Sequence, residues 1–151
     1  MIKLISTAIE NEDLLPEYKT RHSSAADLKA AEEVLVKAGQ QVAVATGIKI
    51  GSVAWENVPG DYIPELQVRA RSGLAFKNGI TLTNAVGTID ADYPDEIKVL
   101  LWNTSNQDFE IKRGDRIAQI TMNLVARIPG LTVGGVRYGG FGSTGVSSES
   151  N

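Results

Sequence analysis

The chain has 151 residues, of which 42% are hydrophobic and 22% charged, and a formal net charge of −3. This composition is typical of one globular domain with a buried core. The chain contains no cysteine and one histidine, His22, which excludes disulfides, thiolate metal sites, cysteine nucleophiles and a histidine-built zinc site. We expect His22 to lie in a solvated loop. No run of basic residues is present, which disfavours a polymeric nucleic acid as a partner.

No apolar run approaches the length that spans a membrane, and the first residues become polar too soon for a signal peptide. A membrane partner is therefore not expected. The sequence predicts a soluble protein of the cytoplasm, or of the nucleus if the source is eukaryotic or viral.

Hydrophobic and polar residues alternate with a period of two along most of the chain, which predicts β-strands. Glycines and polar turn residues recur at short intervals, as is typical of an all-β barrel or jelly-roll-like sandwich. The pattern predicts strands over residues 2–5, 34–36, 42–44, 47–50, 66–70, 81–89, 95–102, 109–111 and 117–124. The turn residues around Gly39 predict a hairpin between strands 34–36 and 42–44, with 47–50 continuing its second arm.

Residues 52–62 are predicted to form a loop or hairpin tip. This segment carries two aromatic side chains, Trp55 and Tyr62. Packing over the sheet is the simpler interpretation of both aromatics, and contact with a partner is the other.

The segment 72–79 is predicted to be a short helix, with Ser72 as its N-cap and Gly79 at its end. A helix start presents unpaired backbone N–H groups and the positive end of the helix dipole. With Arg71 just before it, this start is a candidate anion site. The simpler interpretation is a capped connector with a surface arginine.

The segment from Asn84 to Tyr93 carries the most information. An apolar strand leads into Gly87, and Asp90 and Tyr93 follow three residues apart. A hairpin with the returning strand 95–102 would aim both side chains into one pocket. A carboxylate fixed beside a turn can activate water for hydrolysis, although a purely structural turn uses the same residue types.

Residues 137–151 are rich in glycine and serine and are predicted to form a mobile lid on a β domain that spans 1–136. Phe141 has no core to join in such a segment but could stack on a ligand. The glycines allow close approach of the backbone to phosphate, and Arg137 supplies positive charge. A disordered terminus is the alternative, and a P-loop is excluded because the Walker lysine is absent.

Five short motifs follow one another along nearly the whole chain. They are Ser24-Ala-Ala-Asp27-Leu28, Arg71-Ser72-Gly73-Leu-Ala75, the segment 84–93, Gly114-Asp-Arg-Ile-Ala-Gln119 and Gly140-Phe141-Gly-Ser-Thr-Gly145. In this order they resemble the trimeric dUTP pyrophosphatase (dUTPase) family. The resemblance implies an all-β, jelly-roll-like (β-clip) barrel with one short helix, assembled as a homotrimer in which each active site is shared among subunits.

The resemblance also implies Mg²⁺-dependent hydrolysis of dUTP to dUMP and pyrophosphate. Asp90 would activate the water that attacks the α-phosphorus, and Asp27 would reach Mg²⁺ through a water molecule. The implied phosphate contacts come from the helix start and the fourth motif, namely Arg71, Ser72, Gly73 and Gln119. The implied nucleoside contacts come from the third motif and the strand after it, namely Asn84, Gly87, Thr88, Ile89, Tyr93 and Lys98. The tail would contribute contacts from Arg137 to the γ-phosphate, from Phe141 to the uracil ring, and from Gly142 and Ser143.

Three positions depart from the usual family pattern. Ala25 stands where a glycine is usual, Pro94-Asp95 replaces an ending with glycine after the tyrosine, and Arg137 lies one residue closer to Phe141. Asp95 is expected to point away from the phosphates because like charges repel. Two other functions stay open: a dCTP deaminase-type relative, and a non-catalytic nucleotide-binding regulator with the same fold.

Overall fold

The computed structural model describes residues 1–140, which form eleven strands and one α-helix. The predicted all-β fold with a single short helix is therefore confirmed. The strands are β1 (Ile2–Ser6), β2 (Ala26–Lys29), β3 (Val34–Val36), β4 (Gln41–Ala45), β5 (Ile48–Val53), β6 (Tyr62–Arg69), β7 (Ile80–Leu82), β8 (Val86–Asp90), β9 (Lys98–Asn103), β10 (Phe109–Ile111) and β11 (Arg116–Ala126). The helix is α1 (Ser72–Asn78), and two 3₁₀ turns cover Ile9–Leu14 and Trp55–Asn57. Across residues 1–140, no helix combines the length and the apolar character needed to cross a membrane.

The strands pair into antiparallel sheets around one hydrophobic core. The four-stranded sheet has the order β2-β11-β6-β8 and the three-stranded sheet the order β4-β9-β7, while β1 pairs with β5 and β3 with β10. Alternate residues of β6 point inward, so that Leu66 and Val68 are buried while Glu65 and Gln67 are not. The inward side chains join those of the three-stranded sheet, among them Leu101, in one cluster.

Loss of a side chain from this cluster is expected to destabilise the fold. Leu101 on β9 is 1% exposed, whereas Leu35 on β3 is 51% exposed. We expect Leu101→Ala to lower the free energy of unfolding by about 2–5 kcal/mol, because apolar burial is lost and a cavity is left. Leu35→Ala should lower it by less than about 0.5 kcal/mol. Urea unfolding of both variants measures the difference, and equal losses would contradict the central position of Leu101.

The first predicted hairpin is wrong, although its turn is present. Gly39 has the left-handed φ of 73° that such a turn uses, yet β3 pairs with β10 and β4 pairs with β9. The buried Asn103 side chain gives the physical reason, since its Nδ2 donates to the carbonyls of Val36 (2.9 Å) and Gln107 (2.7 Å) and so ties the end of β3 to the loop before β10. Of the predicted segment 47–50, residues 48–50 belong to a separate strand, β5, which pairs with β1.

The second predicted hairpin, which contains Asp90, is also wrong in its pairing. Strand β8 pairs with β6, whereas the returning strand β9 pairs with β4 and β7. The predicted strand 81–89 is broken after Leu82, where Ala85 adopts a left-handed φ of 59° and donates its N–H to the Leu82 carbonyl (3.2 Å). This turn carries the chain from the three-stranded to the four-stranded sheet, and β8 and β9 line one slot instead of pairing.

Helix α1 confirms the predicted short helix, with a correction at its start. Arg71 has extended backbone (φ −83°, ψ 124°) and occupies the N-cap position, so Ser72 is the first helical residue and no side chain caps the helix. Gly79 ends the helix in the left-handed conformation (φ 67°) and donates its N–H to the Ala75 carbonyl, as helix ends commonly require. His22 lies exposed in a turn, as expected.

Candidate active site

A buried carboxylate organises one end of the four-stranded sheet. Asp27 on β2 is 4% exposed, and its neighbour across the ladder is Gln119 on β11. Asp27 Oδ2 accepts a hydrogen bond from Arg116 Nη1 (3.0 Å), and Asp27 Oδ1 lies 3.6 Å from Arg71 Nε and 3.5 Å from Gln119 Nε2. Arg71 Nη1 also donates to the Arg116 carbonyl (2.9 Å). A carboxylate this buried needs such partners to offset its desolvation.

This arrangement joins three of the predicted site residues and one that sequence reasoning missed. Asp27, Arg71 and Gln119 come from three separate motifs, and they converge at the start of α1 beside Ser72 and Gly73. The missed residue, Arg116, lies in the fourth motif three residues before Gln119. Its place in a motif that already supplied a phosphate contact could have indicated a role at the site. Two guanidinium groups on one carboxylate leave a net positive charge, which together with the helix start makes this end attractive to phosphate.

A small slot lies between β8 and β9. Its volume of about 190 Å³ is below the roughly 300–1,000 Å³ of pockets for drug-sized ligands, as suits a small ring. All of the predicted nucleoside contacts in the described residues line it, together with apolar side chains and one arginine. The lining residues are Val68, Leu82, Asn84, Gly87, Thr88, Ile89, Tyr93, Lys98, Leu100 and Arg137.

Gly87 allows the backbone of β8 to approach its neighbours closely. A Cβ at this position would lie 3.2 Å from Asn84 Nδ2 and 3.3 Å from Val68 Cβ, which is tighter than usual contact distances. Tyr93 is held beside the slot by its own loop, since its N–H donates to the Asp90 carbonyl (3.0 Å) and its hydroxyl to the Glu96 carbonyl (3.3 Å). The slot is therefore shaped by a bare backbone on one side and a fixed aromatic ring near it.

Asp90 ends β8 opposite Glu65 of β6, and its side chain is 60% exposed. It lines a larger cleft of about 930 Å³ together with Trp55, Glu65, Asp92 and Arg127. The prediction placed Asp90 and Tyr93 in one pocket, whereas they line two adjoining cavities. Trp55 is a second residue near the site that sequence reasoning did not connect with it, because its loop is distant from Asp90 in sequence.

Arg137 joins the slot to the cleft, since it lines both. Its Nη1 lies 2.7 Å from Asp90 Oδ2 and 3.4 Å from Asp92 Oδ1, and its Cζ stands 5.4 Å from the centroid of the Tyr93 ring. Its Nε donates to the Gly139 carbonyl (2.9 Å). Partial burial alone lowers the pKa of Arg137, but the hydrogen bonds and charges of Asp90 and Asp92 outweigh it and raise the pKa above its usual value. Arg137 therefore stays charged.

The arginine cluster, which we define as Arg71 and Arg116 around Asp27, lies far from Asp90 within one chain. Asp90 is paired with Glu65, and Arg71 follows Glu65 by six residues in extended backbone. At a rise of about 3.3 Å per residue this separation is about 20 Å, which is longer than a triphosphate chain. The remaining predicted contacts, Phe141, Gly142 and Ser143, lie outside the described residues.

An all-β fold with a small slot, an adjoining cleft that holds the Asp90 carboxylate, and a separate pair of arginines fits a protein that binds a ring-bearing anion such as a nucleotide. A family model described as dUTPase matches residues 12–145. The chain therefore belongs to the dUTPase family.

Curated relatives and solved structures agree with this family. The chain is 50% identical over 139 residues to a deoxyuridine 5'-triphosphate nucleotidohydrolase of Rickettsia akari (strain Hartford), covering 87% of this chain and 88% of the relative. It is 42% identical over 149 residues to the protein of that name from Nautilia profundicola (strain ATCC BAA-1463 / DSM 18972 / AmH), covering 95% of this chain and 99% of the relative. Its fold is similar to the crystal structure of dUTPase from Streptococcus mutans, with a TM-score of 0.72, 30% identity, and coverage of 85% of this chain and 98% of that one.

Proposed function

We propose that this chain hydrolyses dUTP to dUMP and pyrophosphate as a homotrimer with shared active sites. The observation that carries the proposal is the position of Asp90, an exposed carboxylate in a cleft that adjoins, through Arg137, the slot lined by Asn84, Gly87 and Tyr93. The names of the similar Rickettsia and Nautilia proteins support the choice of dUTP as the substrate.

Asp90 acts in this proposal as the general base. Its carboxylate accepts a proton from the water that attacks the α-phosphorus, and pyrophosphate leaves. Arg137 now donates to Asp90 Oδ2, so Arg137 moves away before water can take that position, and the γ-phosphate is its natural next partner. Because little covalent chemistry falls to the protein, positioning and charge stabilisation supply most of the rate.

The slot supplies base and sugar specificity. Asn84 and the backbone of Gly87, Thr88 and Ile89 bind the uracil edge, where cytosine would present a donor in place of an acceptor. Such a mismatch leaves buried polar groups unpaired and can discriminate by roughly 10⁴. Tyr93 lies against the deoxyribose and leaves no room for a 2′-hydroxyl, while Lys98 contacts the nucleoside from β9.

A side chain at position 87 is expected to narrow the slot. Gly87→Ala places a Cβ against Asn84 and Val68, and we expect the KM for dUTP to rise about tenfold through this crowding. Gly60→Ala is the matched control, since a Cβ there meets nothing within 4 Å. Steady-state kinetics of both variants decide the matter, and an unchanged KM in Gly87→Ala would place the base elsewhere.

The separation within one chain supports a site shared between subunits. Because the backbone positions of Glu65, which pairs with Asp90, and Arg71 are about 20 Å apart, a site that takes Asp90 and Arg71 from different chains fits one triphosphate better than a site within one chain. A neighbouring subunit can bring its Arg71 cluster to this Asp90. Strand β11 carries apolar side chains at its end that are more than a third exposed, Met122, Leu124 and Val125, and these support an interface with such a neighbour.

The residues fit a Mg²⁺ ion that arrives with the triphosphate. Within residues 1–140 no three acidic or histidine side chains converge on one point, and both oxygens of Asp27 face guanidinium groups. Mg²⁺ keeps several waters and is commonly held by substrate phosphates with one or two carboxylates, so Asp27 would contact it through water. When bound, the ion would neutralise charge on the phosphate oxygens.

Pyrophosphate release from dUTP, UTP, dCTP and dTTP, with and without Mg²⁺, tests the proposed function. We expect rapid release from dUTP with Mg²⁺, and release from the other three nucleotides lower by orders of magnitude. Ammonia released from dCTP would instead indicate a deaminase-type relative. Tight binding of dUTP without release of pyrophosphate would indicate a non-catalytic regulator. Either result would overturn the proposal.

A further inference from the structure

Asp95, one of the departures from the family pattern, lies against the short segment that begins with Arg137, the residue whose spacing is another departure. Asp95 lies in the loop between β8 and β9, and Gly140 lies three residues after Arg137. A Cβ at Gly140 would overlap the Asp95 carboxylate oxygen and lie 2.9 Å from Asp95 Cγ. Gly140 is not among the glycines with left-handed φ, so a side chain at this position would be opposed by the Asp95 side chain and not by the backbone conformation.

Three residues before Gly140, the ion pairs of Arg137 hold the same short segment in place. Arg137 Nη1 contacts Asp92 as well as Asp90, and the Arg137 side chain is only 18% exposed. The proposed reaction gives Asp90 to the attacking water but assigns no role to Asp92 or Asp95. The three carboxylates of Asp90, Asp92 and Asp95 would also repel a triphosphate unless a cation stayed close to them.

We propose that Asp92 and Asp95 are positioning residues that seat the segment 137–140 against the loop after β8. Asp92 keeps the charge of Arg137 close to the loop while Arg137 exchanges Asp90 for the γ-phosphate, and Asp95 fits against the bare backbone of Gly140. The proposal rests on the proposed function in one respect: the seated segment delivers Arg137 to the triphosphate. The contact itself is a property of the chain and can be tested without turnover.

A double-mutant cycle tests the fit between Asp95 and Gly140. The full-length chain carries Gly140→Ala, Asp95→Gly, or both, and trypsin cleavage after Arg137 is followed by mass spectrometry. We expect Gly140→Ala to speed this cleavage about tenfold, because the new Cβ cannot fit against Asp95. The double variant should be cleaved at a rate within about threefold of that of Asp95→Gly alone, since the added methyl group then has room. Gly134→Ala is the matched control, because a Cβ there meets nothing within 4 Å.

Steady-state kinetics with dUTP on the same variants give the second measurement. Gly140→Ala should lose about tenfold in kcat/KM in the wild-type background and no more than about threefold in the Asp95→Gly background. Asp92→Asn should raise KM about threefold with kcat nearly unchanged, and this difference should shrink in high salt. If Gly140→Ala speeds cleavage by the same factor in the wild-type and the Asp95→Gly backgrounds, the proposed contact between Asp95 and Gly140 is overturned, whatever happens to turnover. Failure of the wild type to release pyrophosphate would overturn the proposed function and leave the cleavage result to decide the seat.

Discussion

Asp90→Asn is expected to lower kcat for dUTP by about 10²–10⁴-fold, the usual contribution of a general base. Asparagine keeps the shape of the side chain but cannot take the proton from the attacking water. Binding of dUTP should stay largely intact, because the slot residues and the arginine cluster are unchanged. The lost ion pair with Arg137 is partly exposed and should alter the unfolding free energy by no more than about 1 kcal/mol.

Single-turnover pyrophosphate release and equilibrium binding of a non-hydrolysable dUTP analogue measure the two effects separately. Asp61→Asn is the control, since Asp61 is an exposed carboxylate in the loop before β6. It should leave both quantities unchanged. Turnover in Asp90→Asn equal to that of the wild type would remove Asp90 from its role, and loss of binding would make it a ligand for the substrate.

Removal of residues 137–151 is expected to abolish most dUTP turnover without dissociating the proposed trimer. The deletion removes Arg137 and the whole Gly/Ser-rich tail, so we expect kcat/KM to fall by about 10²-fold or more, as for the loss of charge-stabilising groups. The core should persist, because the buried hydrophobic cluster of residues 1–140 ends at Ile120 in sequence.

Light scattering gives the mass of the truncated protein, and thermal unfolding gives its stability. A trimer with little turnover is the expected outcome. The matched variant Arg137→Gln keeps the tail and removes only the charge, so it separates the contribution of Arg137 from that of the later residues. Dissociation on truncation would instead mean that the tail is structural.

The strands could be predicted from the sequence because their alternation is local, but their partners could not. The elements β3 and β4 flank a well-formed turn, yet they belong to different sheets because Asn103, more than sixty residues later in the chain, binds the end of β3. The break before β8 depends on a left-handed Ala85, a conformation that alanine rarely adopts. Glycine and polar residues therefore predicted where the turns lie. They did not predict at which turns the chain crosses from one sheet to another.

In the candidate site, too, some residues could be predicted from the sequence, but the contacts between distant segments could not. Residues inside motifs, such as Asn84, Tyr93 and Gln119, could be named from the resemblance, and the structure brings most of them to the slot or to the arginine cluster. The contacts of Arg137 with Asp90 and Asp92 could not be predicted, because they join segments 45 and 47 residues apart. These contacts form because the chain after β11 returns to the end of β8. No local sequence pattern predicts this return.

A mixed-trimer experiment tests most directly the claim that dUTP is hydrolysed at sites shared between subunits. Arg71→Gln and Asp90→Asn are each expected to be nearly inactive alone, and they are co-refolded in equal amounts. If each site takes Asp90 from one chain and Arg71 from another, random assembly should restore about a quarter of wild-type pyrophosphate release. A mixture no more active than its two components would contradict the shared site.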